Sequence, residues 1–535
     1  MSAGAAAQGD NFDVLVVGGG INGAGIARDL AGRDCKVLLV EQDDLAAHTS
    51  SSSTKLVHGG LRYLEYREFA LVRKSLLERE VLLGSAPHIM WPLRFVMPHH
   101  ASMRPAWLIR LGLFFYDHMA RRKVLPGSSS IDLRLHVAGE PLQPHYTRGF
   151  VYSDGWVDDA RLVVLNAVDA HERGAEVLTR TRCVAAQRGT AAWTALLRGA
   201  DGVERTVQAR LLVNAAGPWA EAFLRDVARP AAGERLAKRS LRLVKGSHIV
   251  VPRCHEHDHA YLFQNADKRI VFAIPYERDF TLIGTTEVEL PGAALEAPRG
   301  VAITAAEVAY LCAQVNRYFK RPVTPADVVW SYAGVRPLIE DEAADPAAST
   351  RDYHLESDTA AAPLLTVWGG KITTYRKLAE EAADRIGRLL HQPRGAWTAT
   401  AKLPGGDLAA WIGQPTRPDH DFERFLQAVQ LRHPWLGAPL ALRLARAYGS
   451  RIGTVLGNAR QRGDLGIEIA PDLHEHELRY LQEHEWAQTA DDVLWRRSKL
   501  GLHITPTQAT AVADWIGGHA AAAHDVLRPQ EIACN

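Results

Sequence analysis

Cysteine is scarce and scattered. Five residues, Cys35, Cys183, Cys254, Cys312 and Cys534, form no CxxC pair and are odd in number, which excludes a disulfide framework and fits a reducing compartment. Net charge is nearly absent: 62 Lys and Arg stand against 61 Asp and Glu, a formal +1, so nothing argues for nucleic acid or a strongly acidic partner. No uninterrupted apolar run is long enough to span a bilayer. Residues 1–10 lack the charged start and long apolar core of a signal peptide and read as a disordered leader. A cytoplasmic protein is expected, though one that can still lie on a membrane. There is no internal repeat, and 535 residues are too many for one core, so two or three domains are expected.

What is present is concentrated first in Asp13-Val-Leu-Val-Val-Gly-Gly-Gly-Ile-Asn-Gly-Ala-Gly25. An apolar strand enters a turn with glycines at 18, 20 and 23, and an Ala-rich helical pattern follows. Gly18 permits the tight turn, Gly20 allows backbone to approach a pyrophosphate, and Gly23 lets the helix pack close to the strand. The helix N-terminus then presents free N–H groups to phosphates. A second apolar strand, Lys36 to Val40, ends on Glu41, about 20 residues past the last glycine, where a carboxylate accepts hydrogen bonds from a ribose. Strand, glycines, helix, second strand and acid in register mark a dinucleotide site rather than a Gly-rich turn without a ligand.

A Ser/Thr run, Thr49 to Lys55, follows and leads into His58-Gly59-Gly60. Such runs are commonly solvated linkers. Here the position shortly after the ribose acid favours hydroxyls and a lysine wrapped around the cofactor. An amphipathic helix is expected over 71–83. Within 104–123 the stretch Trp107 to Tyr116 is apolar and aromatic, with Arg104 before it, Arg110 within it and Arg121, Arg122 and Lys123 after it. By composition it reads first as a buried helix with basic ends, and second as a helix lying in a membrane interface. A helix over about 160–173, a small antiparallel sheet with strands at 193–198 and 205–213, and the strand-to-glycine stretch Leu211 to Gly217 come next. At Gly217 backbone again approaches the cofactor, so the nucleotide-binding part is discontinuous.

Strand patterns dominate 241–340, with a helix near 305–319. Between them Cys254-His-Glu-His-Asp-His259 has the look of a metal cluster, but alternate histidines in a polar connection read better as an exposed loop, and no metal is assigned. Leu364 to Arg376 repeats the opening logic of strand, glycine turn and helix. Beyond Pro404 the pattern is helical (420–432, 438–448, 473–487, 490–500 and 507–525), with Trp486 and Trp495 expected in its core. The fold class is α/β. A discontinuous Rossmann-type domain (11–85, 146–225 and 345–390) carries an inserted β-sheet substrate domain (86–145 and 226–344), followed by an all-α C-terminal domain (391–535).

Several of these stretches together resemble FAD-dependent aerobic glycerol-3-phosphate dehydrogenases. They are Gly18 to Ala27, Lys55-Leu-Val-His-Gly-Gly-Leu-Arg-Tyr-Leu-Glu65, Lys245 to Pro252, Tyr332-Ala-Gly-Val-Arg-Pro337, Trp368-Gly-Gly-Lys-Ile-Thr-Thr-Tyr-Arg-Lys-Leu378 and Asp492 to Arg497. The resemblance covers nearly the whole chain apart from the leader. The Ala-rich leader and the histidine loop at 255–259 depart from it, and neither lies on a motif. It implies FAD as cofactor, oxidation of sn-glycerol 3-phosphate to dihydroxyacetone phosphate, and electron transfer to a membrane quinone. It also implies peripheral attachment to the inner face of the cell membrane, a homodimer, and an interfacial role for 104–123.

The chemistry asks for a base, or a cation that stabilises an alkoxide, as hydride leaves the alcohol carbon. His248 is the candidate base and Arg336 the candidate partner for the reacting oxygen, each with an ordinary structural reading beside it. A phosphate dianion calls for convergent cations and donors: Arg62 and Tyr63, with Arg351 third. Lys371, opening a helix, is placed to hold the reduced flavin's negative charge. The expected cofactor contacts are Gly18, Gly20, Gly23, Glu41, Ser52, Lys55, His58, Gly59, Gly217, Gly370 and Thr373. The rival readings are a glycerol-3-phosphate oxidase that reduces oxygen, an amine-oxidising flavoprotein, and a non-catalytic FAD-binding redox sensor. An NAD dehydrogenase fits less well, because the nucleotide domain resumes near 214 and 369 to enclose a larger cofactor.

Overall fold

The computed structural model describes residues 10–100, 103–230, 236, 239–265, 267, 269–290, 300–340 and 352–526. The chain divides into two compact units, residues 1–403 with 417–419, and residues 404–416 with 420–535.

The first unit is built on two sheets. In one, the strand Asn11–Val17 lies between Val37–Val40 and Glu204–Asn214, parallel to both. Glu176–Leu178 and Leu364–Gly369 extend the parallel core on either side. These strands read as unbroken apolar runs because they are buried on both faces: Val14, Leu15, Val16, Leu38 and Leu212 are all fully enclosed. One cluster joins Leu15, Leu38 and Leu212 to Trp193 and Trp368. The helix Ile21–Ala31 packs on helices Asp159–Glu172 and Tyr375–Leu389, and Gly25 gives the Tyr375 ring its place, since a Cβ there would come within 2.9 Å of it. An antiparallel extension, Thr181–Arg188 with Trp193–Gly199, pairs onto the first half of Glu204–Asn214, as the alternation had suggested.

The second sheet pairs Leu241–Pro252 with Trp330–Ile339 along ten positions and with Phe280–Gly284 on its other edge. The helix Ala305–Asn316 closes one face, seating Leu311, Cys312 and Val315 against Ile249, Val251, Tyr261 and Phe263. Its other end is the antiparallel pair Met90–His99 and Arg148–Val157. The sequence places Arg148–Val157 in the nucleotide-binding part. It is instead a strand of this second sheet, because its hydrogen-bonding partner is the apolar strand at 90–99 and not the parallel core.

The second unit is helical, with helices Ala438–Tyr448, Glu475–Glu485 and Pro506–Val526 and a core of Phe425, Leu444, Tyr448, Leu478, Leu481 and Val493. It begins at Pro404, not at 391, and holds one short hairpin, Glu468–Ala470 with Leu473–His474. Trp495 packs on the core. Trp486 caps its helix in a left-handed conformation, φ 57°, and stays half-buried at the edge. The leader residues 1–9 and Arg351 lie outside the described residues.

Candidate active site

A cavity of about 440 Å³ opens at the C-terminal ends of the parallel strands, lined by Val17 and Gly18, Val40 and Glu41, Ala215 to Gly217, and Gly369 to Thr373. Open α/β sheets bind ligands in this position. Gly18 has φ 112°, and a Cβ there would meet the Ala215 carbonyl. At Gly23 a Cβ would run into the Gly18 carbonyl, so this glycine serves helix-to-strand packing and does not line the cavity. Glu41 ends its strand buried and accepts N–H bonds from Gly19 (2.6 Å) and Asp43 (2.9 Å). Burial, outweighing those bonds, raises its pKa. Asn22, at the start of the first helix, has a buried Oδ1 with no partner. Glycine-lined approaches and a strand-end acid are what a dinucleotide's pyrophosphate and ribose require, and the Asn22 acceptor suits a cofactor hydroxyl. The residues present fit FAD.

Cations and hydroxyls converge on the remaining wall. Ser52, His58, Tyr63, Gly217, Arg336, Gly370, Lys371 and Thr373 all line the cavity. Arg336 leaves the strand Trp330–Ile339 toward Glu287 (3.3 Å) and Thr285 Oγ1 (3.2 Å). The Lys371 ammonium lies 4.7 Å from the centre of the Tyr63 ring, a cation–π contact. The His58 N–H donates to Thr373 Oγ1 at 3.3 Å, which ties the His58 turn to the last glycine turn. Gly370, with φ 98°, makes that turn possible. The segment Thr49–Lys55 does wrap the cavity: Ser50 Oγ accepts from the Ile21 N–H at 3.0 Å, and Thr49 Oγ1 donates to the Val335 carbonyl at 2.6 Å.

Three expected contacts lie behind this wall. Lys55 is buried and paired with Asp159 at 2.7 Å; no carboxylate near it in sequence announced that partner. Gly59 donates its N–H to Tyr116 Oη (2.8 Å) and is packed against Leu76 and Tyr116. His248 lies in the middle of the strand Leu241–Pro252, not at its start, and is 1% exposed. Nothing describes the Arg62 side chain. Sequence reasoning missed Arg182 and Arg269, which line the cavity and carry no motif; Thr54, also in the lining, lies within the Ser/Thr run expected to wrap the cofactor but was not singled out. The histidines of 255–259 do not gather metal-ligating atoms. His255 stacks on His257 at 4.1 Å, and His257 Nε2 lies 2.9 Å from Tyr261 Oη.

The profile described as FAD dependent oxidoreductase matches residues 13–376, and that of the C-terminal domain of alpha-glycerophosphate oxidase matches 396–523. A glycerol-3-phosphate dehydrogenase of Pseudomonas aeruginosa is 50% identical over 507 residues, 94% of this chain and 95% of that one. A D-erythritol 1-phosphate dehydrogenase of Brucella abortus is 50% identical over 511 residues, 95% of this chain and 98% of that one. The structure of a glycerol-3-phosphate dehydrogenase from Bacillus halodurans, complexed with FAD, superposes with a TM-score of 0.73 at 27% identity, covering 96% of this chain and 92% of that one. With a cavity that fits FAD inside the stretch the first profile matches, the second profile following it along the chain, and relatives 50% identical over nearly the whole length, the chain belongs to the FAD-dependent glycerol-3-phosphate dehydrogenase family.

Proposed function

We propose that this flavoenzyme oxidises sn-glycerol 3-phosphate to dihydroxyacetone phosphate and delivers the electrons to a membrane quinone. The observation that carries this reading is the convergence of Arg336, Lys371 and Tyr63 on the cavity bounded by the dinucleotide glycines. FAD, when bound there, supplies the hydride acceptor. Arg336 holds the substrate oxygen and offsets its charge as the proton leaves. Tyr63, with Arg62 and Arg351, takes the phosphate, and Lys371 at the start of the turn Ile372–Thr374 holds negative charge near the cofactor.

The membrane link rests on the helix Ala106–His118. Trp107, Leu108, Leu111, Phe114 and Phe115 are exposed along it, Trp107 at 68%, while Leu113 and Tyr116 face inward. Five large apolar side chains at helical spacing beside Arg104, Arg110 and Arg121 suit a lipid interface with anionic headgroups. No described helix is long and apolar enough to cross a membrane.

The equal identity to a D-erythritol 1-phosphate dehydrogenase supports a second reading, a four-carbon alditol phosphate as substrate. Anaerobic visible spectra decide between them. Bleaching of the flavin band by glycerol 3-phosphate, with recovery on a quinone analogue, is expected; bleaching by erythritol 1-phosphate alone would replace the substrate. Rapid recovery on oxygen with peroxide release would make the enzyme an oxidase, and a band that neither substrate bleaches would leave a redox sensor.

A further inference from the structure

His248 is enclosed on every side. Its ring stacks on Tyr332 at 4.8 Å with the planes 17° apart, and its opposite flank lies where a Cβ on Gly284 would be. Nε2 is 3.0 Å from Thr54 Oγ1, while Nδ1 is buried and has no hydrogen-bond partner. Thr54 itself lines the cavity. Burial first, then the charges of Arg336 and Lys55, holds the imidazole pKa well below its usual range, so the ring is neutral and carries one N–H.

The position of that hydrogen follows from the contacts. On Nδ1 it would be a buried donor with nothing to bond, an arrangement folded proteins avoid. A doubly protonated ring would have the same orphan and a buried charge besides. On Nε2 it is satisfied by Thr54 Oγ1, leaving only an unused lone pair on Nδ1. Thr54 then accepts from His248, and its own hydroxyl proton must point elsewhere. Among the described residues no acceptor is shown for it, and the open direction is the cavity.

We propose that Thr54 is a hydrogen-bond donor to an atom that gains negative charge as hydride is transferred, and that His248 is the positioning residue that turns the hydroxyl toward it. This rests on the proposed dehydrogenase reaction and replaces His248 as the base. The acceptor is an oxygen or nitrogen of either the flavin or the substrate. In the reaction the substrate carbon gives its hydride to FAD, when bound, and the hydroxyl proton passes to bulk water through the open cavity, so His248 gains no proton.

The test uses the FAD-loaded enzyme and its variants Thr54→Val, Thr54→Ser, His248→Gln and the double variant Thr54→Val/His248→Gln. Anaerobic flavin reduction by glycerol 3-phosphate should slow by about 100-fold in Thr54→Val, the scale of one lost charge-stabilising donor, and by no more than about threefold in Thr54→Ser. The double variant should be no slower than Thr54→Val, because His248 acts only through the hydroxyl. Any ionisation in the wild-type pH profile should persist in His248→Gln. A changed flavin midpoint potential in Thr54→Val assigns the acceptor to the cofactor, and an unchanged one assigns it to the substrate. Wild-type reduction rates in Thr54→Val, or loss of an ionisation in His248→Gln, would overturn the proposal. If Thr54→Val binds no FAD, Thr54→Ala takes its place with the same expectation. A wild-type flavin that glycerol 3-phosphate leaves unbleached defeats the substrate reading alone, and the comparison is then run with the alditol phosphate that bleaches it.

Discussion

Arg336 has room for its guanidinium because a residue diagonal to it on the neighbouring strand is glycine: a Cβ on Gly246 would come within 2.8 Å of Nη2. Gly246 is in register with Gly334, and a Cβ on Gly334 would strike Ser52. The Tyr332 to Pro337 motif lies on one continuous strand, Trp330–Ile339, and its glycine clears space for the neighbouring Ser52. Arg336→Ala should slow flavin reduction by the substrate about 1000-fold, as expected for a lost charge at the reacting oxygen, while the flavin band of the visible spectrum shows FAD still bound; near-normal turnover would remove Arg336 from the chemistry. Lys55 shows what the sequence hid. Its partner Asp159 is 104 positions away, and local pattern carries no trace of such a pairing. Lys55→Met leaves that buried carboxylate without its counter-charge and should cost about 3–5 kcal/mol of stability, read from denaturant unfolding of the FAD-loaded protein.

Among the elements, the helix Ala106–His118 is amphipathic in an uncommon sense: its aromatic side faces outward, and Tyr116 turns inward to donate to Asp154 at 2.7 Å. Composition gave the helix but left open which side it buries, since a buried helix and an interfacial one share the same residues. Replacing Trp107, Leu111 and Phe114 by Ser should abolish sedimentation with anionic phospholipid vesicles while leaving anaerobic reduction by substrate within about twofold, because these exposed side chains contribute apolar transfer energy and do not line the cavity; unchanged sedimentation would defeat the docking surface. The helix Ala305–Asn316 is tied down differently. Glu307 closes a capping box with Thr304 and also receives Lys245 at 2.7 Å, Ser247 at 2.9 Å and Thr286 at 2.8 Å. Burial opposes its ionisation, but these bonds outweigh it and hold the pKa down to about 2, from the ordinary 4.5. A carboxyl whose folded value is depressed stabilises the fold above its unfolded value and loses that contribution as pH falls toward the folded one. Stability should therefore decline between pH 4.5 and 2, and Glu307→Gln should flatten the decline in thermal unfolding; an unaltered slope would show that other carboxyls govern it.

On the scale of the molecule, the dinucleotide sheet, the second sheet and the helical C-terminal unit were all legible as classes, because period and glycine placement are local. The allocation of Arg148–Val157 was not, because strand pairing is decided by partners distant in sequence. The parallel core takes strands from 11–17, 37–40, 176–178, 204–214 and 364–369, and the second sheet takes its own from 56–57 to 330–339. The two therefore interleave along the chain. A fragment of residues 11–225 has the whole first fingerprint but lacks Leu364–Gly369 and the turn at Gly370, so it should bind no FAD when refolded; a yellow fragment would contradict this. The same interleaving sets a schedule during synthesis. Asn11–Val17 leaves the ribosome early, yet its neighbour Glu204–Asn214 arrives far later and the strand that completes the core arrives only at Leu364–Gly369. At about 5–20 residues per second, the nascent chain holds bare apolar strands for tens of seconds before either sheet can close. The chain is thus committed to late, long-range closure, and its yield in a cell depends on holding factors during that interval as well as on the stability of the finished fold.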